Sequence, residues 1–313
     1  MSAAATAPLT AEAAAAPVLE MADHPLHPFI FVGCWNTVGT PRNKVADAIN
    51  RTGITNLILG GDNVYPLEGT KSHSIDVFHE GMRLFEGKRI YGALGNHNVK
   101  EAPMKAAQMA YPNWILPSTY YARQFTDGHV LVVLDSNLVT EPEQLAEMES
   151  WFSGVVAACR ASGLNYYVVQ HDPYGSYKKK KYPALKEGSR LLEIMASYQP
   201  VAVLCADTHN FQIDTIDVRG KKITQYVVGT GGADYDPIDC DTSIPIKLTD
   251  DGIQVTFETH KPGYGFLVVT PGSLEFVKAW DWGAAGGRRV LRKRSNRRRR
   301  SGARKTRRSR HAK

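Results

Sequence analysis

The sequence predicts a single α/β domain whose first half alternates strand and helix and whose second half is built from strands alone. Three observations carry this expectation. Short apolar runs alternate with amphipathic stretches as far as residue 205, the helical periodicity then disappears, and a polar cluster closes each of five apolar runs. Taken in order, the runs at 28–34, 55–60, 89–94, 129–135, 165–170 and 200–205 read as strands. Amphipathic stretches near 43–52, 74–86, 142–160 and 183–197 read as the helices between them. Strand candidates at 211–218, 222–228, 253–258, 264–270 and 273–280 follow, broken by Gly, Pro and Asp clusters, and are expected to add a further, largely antiparallel sheet.

Composition sets the frame. A chain of 313 residues with 43% hydrophobic content can bury a sizeable core. Cys34, Cys159, Cys205 and Cys240 are widely spaced, without a CxxC pair, which points to a reducing compartment. Residues 1–27 are rich in Ala and Pro, but Glu12 and Glu20 interrupt them and no basic start leads into an apolar core. The expectation is a disordered segment rather than a secretory signal. No run reaches membrane-spanning length, so an intracellular, cytoplasmic or nuclear protein is expected.

The formal net charge of +7 hides a division. Residues 288–313 hold fifteen Lys and Arg and no acid, leaving 23 basic against 31 acidic residues in 1–287. The organisation expected is therefore a disordered segment at 1–27, a catalytic domain at 28–283 and a disordered basic tail at 284–313. Within that tail, Arg297, Arg298, Arg299 and Arg300 form the densest charge run, suited to nucleic-acid phosphates or to an import receptor.

The five clusters are Cys34-Trp35-Asn36, Gly61-Asp62-Asn63-Val64-Tyr65, Gly95-Asn96-His97-Asn98, His171-Asp172-Pro173 and Ala206-Asp207-Thr208-His209. In open α/β sheets ligands bind beyond the carboxyl ends of the strands, so the five should converge on one face. Asp62 offers a carboxylate able to bridge two cations, and Tyr65 a hard phenolic oxygen. Asn96 offers a neutral oxygen that completes a coordination shell without adding charge. His97 beside it can donate a proton or stabilise charge on a phosphoryl group. His171 ends an apolar strand, and the i, i+2 spacing of Asp207 and His209 aims both side chains the same way if the backbone stays extended. No GxGxxG or Walker motif is present, which excludes the common nucleotide-binding classes.

The order GCWN, GDNVY, GNHN, HDP and ADTH resembles that of the calcineurin-like metallophosphoesterases, and Tyr65 resembles their purple acid phosphatase branch of the tartrate-resistant type. The resemblance spans roughly residues 28–275. It implies a metallo-dependent phosphatase fold, a four-layer α/β/β/α sandwich of two mixed sheets. It also implies hydrolysis of phosphoesters by a metal-activated hydroxide at a dinuclear site holding two divalent ions of Fe, Zn or Mn. Carried over by position, the first ion would see Cys34, Asp62, Tyr65 and His209, and the second Asp62, Asn96, His171 and Asp207. His97 would assist the leaving group, and Asn36 and Lys178 are candidates for contacting the phosphorylated substrate.

Two positions depart from the family pattern. Cys34 stands where its first Asp ligand is found, and Asp207 stands for the first His of GHxH. A thiolate favours Zn or Fe(II), whereas Asp207 shifts the second site towards Mn or Mg. The alternative is a catalytically impaired phosphatase fold that acts as a nucleic-acid-binding or packaging scaffold through its basic tail.

Overall fold

In the computed structural model of the protein, which describes residues 19–66 and 72–280, two mixed β-sheets stack face to face. The smaller sheet takes its centre from the first three apolar runs, β2 (Phe29–Val32), β3 (Asn56–Leu59) and β4 (Arg89–Gly92), which pair in parallel. On the other side of β2 lies β15 (Tyr264–Thr270), antiparallel to it, and β16 (Ser273–Trp280) forms that edge. The larger sheet has nine strands. From one edge it runs β1 (Glu20–Met21), β5 (Tyr121–Gln124), β6 (His129–Val133), β7 (Asn165–Val169) and β10 (Ala202–Cys205). It continues through β12 (Lys221–Val228), β11 (Phe211–Val218), β14 (Ile253–His260) and β13 (Ile246–Lys247). A separate hairpin joins β8 (Ser176–Tyr177) and β9 (Lys181–Tyr182).

Burial on both faces explains why the central strands read as continuous apolar runs. Every residue of β2, β3 and β10 is buried. Between the sheets, Phe29 and Phe31 meet Leu131, Val133, Tyr167 and Val169, with Phe29 edge-on to Tyr167 at 5.2 Å. Outside the smaller sheet lie α1 (Thr40–Arg51) and α2 (Ile75–Arg83), which bury Val45, Ile49, Phe78 and Met82. Outside the larger sheet lie α5 (Pro142–Ser162) and α6 (Ser189–Ser197), which bury Phe152, Val155, Leu191 and Met195. The layers are therefore α/β/β/α, as the resemblance implies.

Three expectations are corrected. The C-terminal strands form no sheet of their own. β12 pairs in parallel with β10 and β15 pairs antiparallel with β2, so each covers one open edge of a sheet begun by the first half. Residues 19–27 are not a disordered lead-in: Glu20 and Met21 pair with Arg123 and Gln124, and Leu26 is buried. Helix α6 begins at Ser189 rather than near 183, because Pro183 and Gly188 interrupt the earlier turns. Two short helices, α3 (Asn96–Val99) and α4 (Ala102–Met109), were not foreseen. Residues 1–18 and the basic tail with Arg297–Arg300 lie outside the described residues. Among the described residues no helix is long and apolar enough to cross a membrane.

Candidate metal centre

The five polar clusters meet at one end of the sandwich, and glycine lets them meet. A Cβ on Gly61 would lie 2.5 Å from His171 Nδ1 and 2.8 Å from the Gly95 amide, and one on Gly95 would fall on the Asp62 amide and carboxylate. The strand ends are bent as well as crowded. Cys34, Asp62 and Asp207 have φ of 51°, 53° and 49°, three of the four non-glycine residues with positive φ among the described residues. Such left-handed backbone costs about 1 kcal/mol or more for a residue with a Cβ, and it clusters where a site over-determines it. The left-handed turn at Asp207 also overturns the extended backbone expected between Asp207 and His209, so these two side chains serve different halves of the site.

The first half comprises Cys34, Asp62, Tyr65 and His209. Ligand atoms of Cys34, Asp62 and His209 lie within 4.8 Å of one another. The Tyr65 hydroxyl donates to Asp62 Oδ2 at 2.9 Å and lies 3.2 Å from His209 Nε2. His209 Nδ1–H donates to the Asp234 carbonyl at 2.8 Å, which fixes the ring and leaves Nε2 facing inward.

The second half comprises Asn96, His171 and Asp207, beside the same Asp62. His171 Nδ1–H donates to the Gly60 carbonyl at 2.8 Å, which turns Nε2 to within 3.4 Å of Asp62 Oδ1 and 4.0 Å of Asp207 Oδ1. Asn96 Oδ1, His171 Nε2 and Asp207 Oδ2 are all buried without a hydrogen-bond partner. Asn96 Oδ1 and Asp207 Oδ2 are buried acceptors without a donor, and His171 Nε2 has only its longer contacts to the two carboxylates; a cation would supply the partner each lacks once Nε2 gives up its proton.

His97 sits over Tyr65 with ring centroids 4.7 Å apart, and its main-chain amide donates to Asp62 Oδ1 at 3.0 Å. Its Nδ1 lies 3.3 Å from His73 Nε2, while His73 Nδ1 lies 3.0 Å from Glu101 Oε1. Sequence reasoning missed this His73–Glu101 support, since neither residue closes a strand. It also gave no role to Asn98, although that residue stands in the GNHN cluster. Fully buried Asn98 accepts through Oδ1 from the amides of Gly95 at 2.6 Å and Asp62 at 2.8 Å, and donates through Nδ2 to Gln108 Oε1 at 2.7 Å. A side-chain amide three residues after a strand-end glycine was the signal available.

The two substrate candidates fare differently. Asn36 is corrected: it is fully buried, donates to the carbonyls of Asn63 and Val77, and accepts from Arg42 Nη1 at 3.0 Å. It holds α2 and the strand-end loops together and cannot touch a substrate. Lys178 lies at the tip of the β8–β9 hairpin with its ammonium 4.6 Å from the centre of the Tyr182 ring. A buried polar network anchors that hairpin, in which Gln212 Oε1 accepts from the Tyr177 amide at 2.8 Å and Ser176 Oγ meets Thr208 Oγ1 at 2.6 Å.

No protein-family profile matches the chain, and no curated protein matches it in sequence. Solved structures do match. A purple acid phosphatase from yellow lupin (Lupinus luteus) seeds superposes with a TM-score of 0.58 at 14% identity, over 80% of this chain and 51% of the lupin chain. GAP50, described as the anchor in the inner membrane complex of Plasmodium, superposes with a TM-score of 0.55 at 15% identity, over 80% of this chain and 84% of that one. A dimetal phosphatase from Danio rerio covers 82% of this chain and 99% of its own at 9% identity, with a TM-score of 0.48. The fold is that of the metallo-dependent phosphatases.

Within this phosphatase fold the donor set fits divalent cations, on the strength of the buried, unpartnered Asn96 Oδ1, His171 Nε2 and Asp207 Oδ2. The electrostatics of the metal-free site agree. Burial, then the Asp62 and Asp207 carboxylates, push the Cys34 thiol well above its usual range. Burial likewise raises the Tyr65 phenol, helped by Cys34 and Asp62. Burial also raises Asp207, against the pull of His171. For Asp62 burial is outweighed by His171 and His97, which hold the carboxyl below its usual range. For His171 burial is outweighed by Asp62, Asp172 and Asp207, which raise it to about 10. The site without metal is thus rich in suppressed negative charge that a cation would release.

Proposed function

We propose that the chain hydrolyses phosphoesters, as a phosphomonoesterase, at a dinuclear metal centre. Cys34, Asp62, Tyr65 and His209 hold one cation; Asp62, Asn96, His171 and Asp207 hold the other. The observation that carries this reading is the set of buried, unpartnered atoms Asn96 Oδ1, His171 Nε2 and Asp207 Oδ2 on the strand ends around Asp62, the carboxylate that touches both halves. Divalent cations of the Fe, Zn or Mn class supply Lewis acidity there, together with a water acidified towards neutral pH. The remaining work falls to the chain itself. His97, backed by His73, presents a proton to the leaving oxygen. Lys178 draws the phosphate towards the mouth of the site. All four cysteines are unpaired, in keeping with a reducing, intracellular setting.

The test is turnover of an aryl phosphate by the full chain with Mn, Zn or Fe supplied. The expected result is metal-dependent hydrolysis, lost in Asp62→Asn and reduced about 100-fold or more in His97→Ala. Absence of turnover with every metal, together with no metal retained on purification, would instead establish the second reading, a phosphatase fold kept as a scaffold. The tail is assigned a separate role in binding nucleic acid or an import receptor, supported by its fifteen cations. Deletion of residues 288–313 then removes salt-sensitive nucleic-acid binding and leaves turnover unchanged.

A further inference from the structure

A second group of ligand-type side chains lies at the opposite end of the sandwich. His27 precedes β2, Asp127 stands in the turn between β5 and β6, and His129 opens β6. Six residues of largely extended chain lie between His27 and Cys34, which places the group on the order of 20 Å from the candidate metal centre. One ligand atom from each of His27, Asp127 and His129 falls within 4.8 Å of the others.

The geometry is that of a built site with one partner missing. Asp127 Oδ2 lies 2.9 Å from His27 Nδ1 and accepts from the His27 amide at 3.0 Å, so the carboxylate is fixed. Its other oxygen, Oδ1, is buried and has no hydrogen-bond partner, while His129 Nδ1 stands 3.6 Å away. The two imidazoles meet edge to face with centroids 4.3 Å apart; His27 Nδ1 bonds the Asp127 carboxylate, while His129 Nδ1 donates to the Asp127 carbonyl at 3.1 Å and faces Oδ1 beyond it. A plain His–Asp hydrogen bond would satisfy Oδ2 and leave Oδ1 uncompensated, as found. A cation seated among Oδ1 and the two Nδ1 atoms would satisfy it.

We propose that His27, Asp127 and His129 form a second metal site, independent of the phosphatase centre, that takes a single zinc-class divalent cation and clamps the two sheets together. Two imidazoles and one carboxylate are a borderline N/O donor set that suits zinc, with water completing the tetrahedron on the partly exposed His129 side. The surrounding shell is already in place. His27 Nε2 lies 2.9 Å from the Tyr167 hydroxyl, so when Nδ1 turns its lone pair to the cation the ring proton moves to Nε2 and donates to the Tyr167 oxygen. His129 gives up its Nδ1–H bond to the Asp127 carbonyl and carries its proton on Nε2 at the partly exposed side, so the neutral rings release no proton overall. The clamp joins the segment entering β2 of the smaller sheet to β6 and β7 of the larger one. Its role is structural, which accounts for its distance from the phosphatase residues.

The test uses the full chain stripped with chelator and then given Zn²⁺ alone. Crystals soaked in zinc chloride should show an anomalous peak bounded by His27, Asp127 and His129. In solution, Asp127→Asn and His129→Ala should each weaken one equivalent of zinc by about 100-fold or more while the remaining equivalents are unchanged. His129 is only partly buried, and far-UV circular dichroism checks that its variant folds. Absence of the peak overturns the proposal, as does zinc uptake by the folded His129→Ala protein that equals the wild type, and the cluster is then a hydrogen-bonded turn only.

Discussion

Replacing Asn98 with alanine tests whether one buried amide sets the geometry of Asp62. Asn98 is 0% exposed, and its removal strands the Gly95 and Asp62 amides, Gln108 Oε1 and, more weakly held at 3.4 Å, the Asn63 amide. Each buried group left without a partner costs about 1–3 kcal/mol, so loss of the three bonds of 2.8 Å or less should destabilise the protein by about 3–9 kcal/mol. For a domain of this size about 2–4 °C is lost per kcal/mol, giving a fall in melting temperature on the order of 10 °C or more. The assay is thermal unfolding of the chelator-treated full chain followed by circular dichroism. Gln108→Met provides the comparison. It strands only the Asn98 Nδ2 donor, so it should cost about 1–3 kcal/mol and leave metal uptake intact, whereas Asn98→Ala loses both stability and metal affinity. If Asn98→Ala melts within about 3 °C of the wild type, the positioning role is refuted.

The pH dependence of the metal-free protein has a definite sign. His171 is raised to about 10, above its unfolded value near 6.5, so its pairing with Asp62 stabilises fully below about pH 6.5 and is lost as pH rises through about 10. The melting temperature in chelator should fall across that window, and His171→Asn should flatten the fall. A cation must displace the same Nε2 proton, so metal affinity measured by chelator competition should rise over the same range. In Gly95→Ala, the added methyl meets the Asp62 amide and carboxylate and lies 2.8 Å from His171 Cε1. Aryl-phosphate kcat/KM should drop by about 100-fold with far-UV circular dichroism unchanged.

Much of the fold was legible because strand and helix periodicity are local. The runs at 211–218 and 264–270 match β11 and β15, and all five polar clusters do close strands and converge. The strand partners were not legible. Nothing in residues 221–228 states that they will lie beside β10 rather than form a new sheet, since pairing depends on which edge is left open after the earlier strands assemble. Short elements were lost for a related reason: β8 and β9 have two residues each, and the Gln212 and Gln225 side chains hold the backbone of residues 174–177 that leads into and forms β8.

At the site, the sequence by itself determined which chemistry is present: Asp62, Tyr65, Asn96, His97, His171, Asp207 and His209 stand at strand ends because each follows an apolar run that must stop there. Only the tertiary structure decided how they divide. Asp207 turns towards His171 while His209 turns towards Tyr65, because a left-handed turn at Asp207 breaks the two-residue alternation. The structure also withdrew Asn36 from the site and brought in His73 and Asn98. The same holds at the far end of the sandwich, where His27 and Asp127 are separated by 100 residues and meet at 2.9 Å. Side-chain type and local period are written along the chain, but the contacts that give a polar atom its partner, or leave it without one, arise when distant strands are stacked.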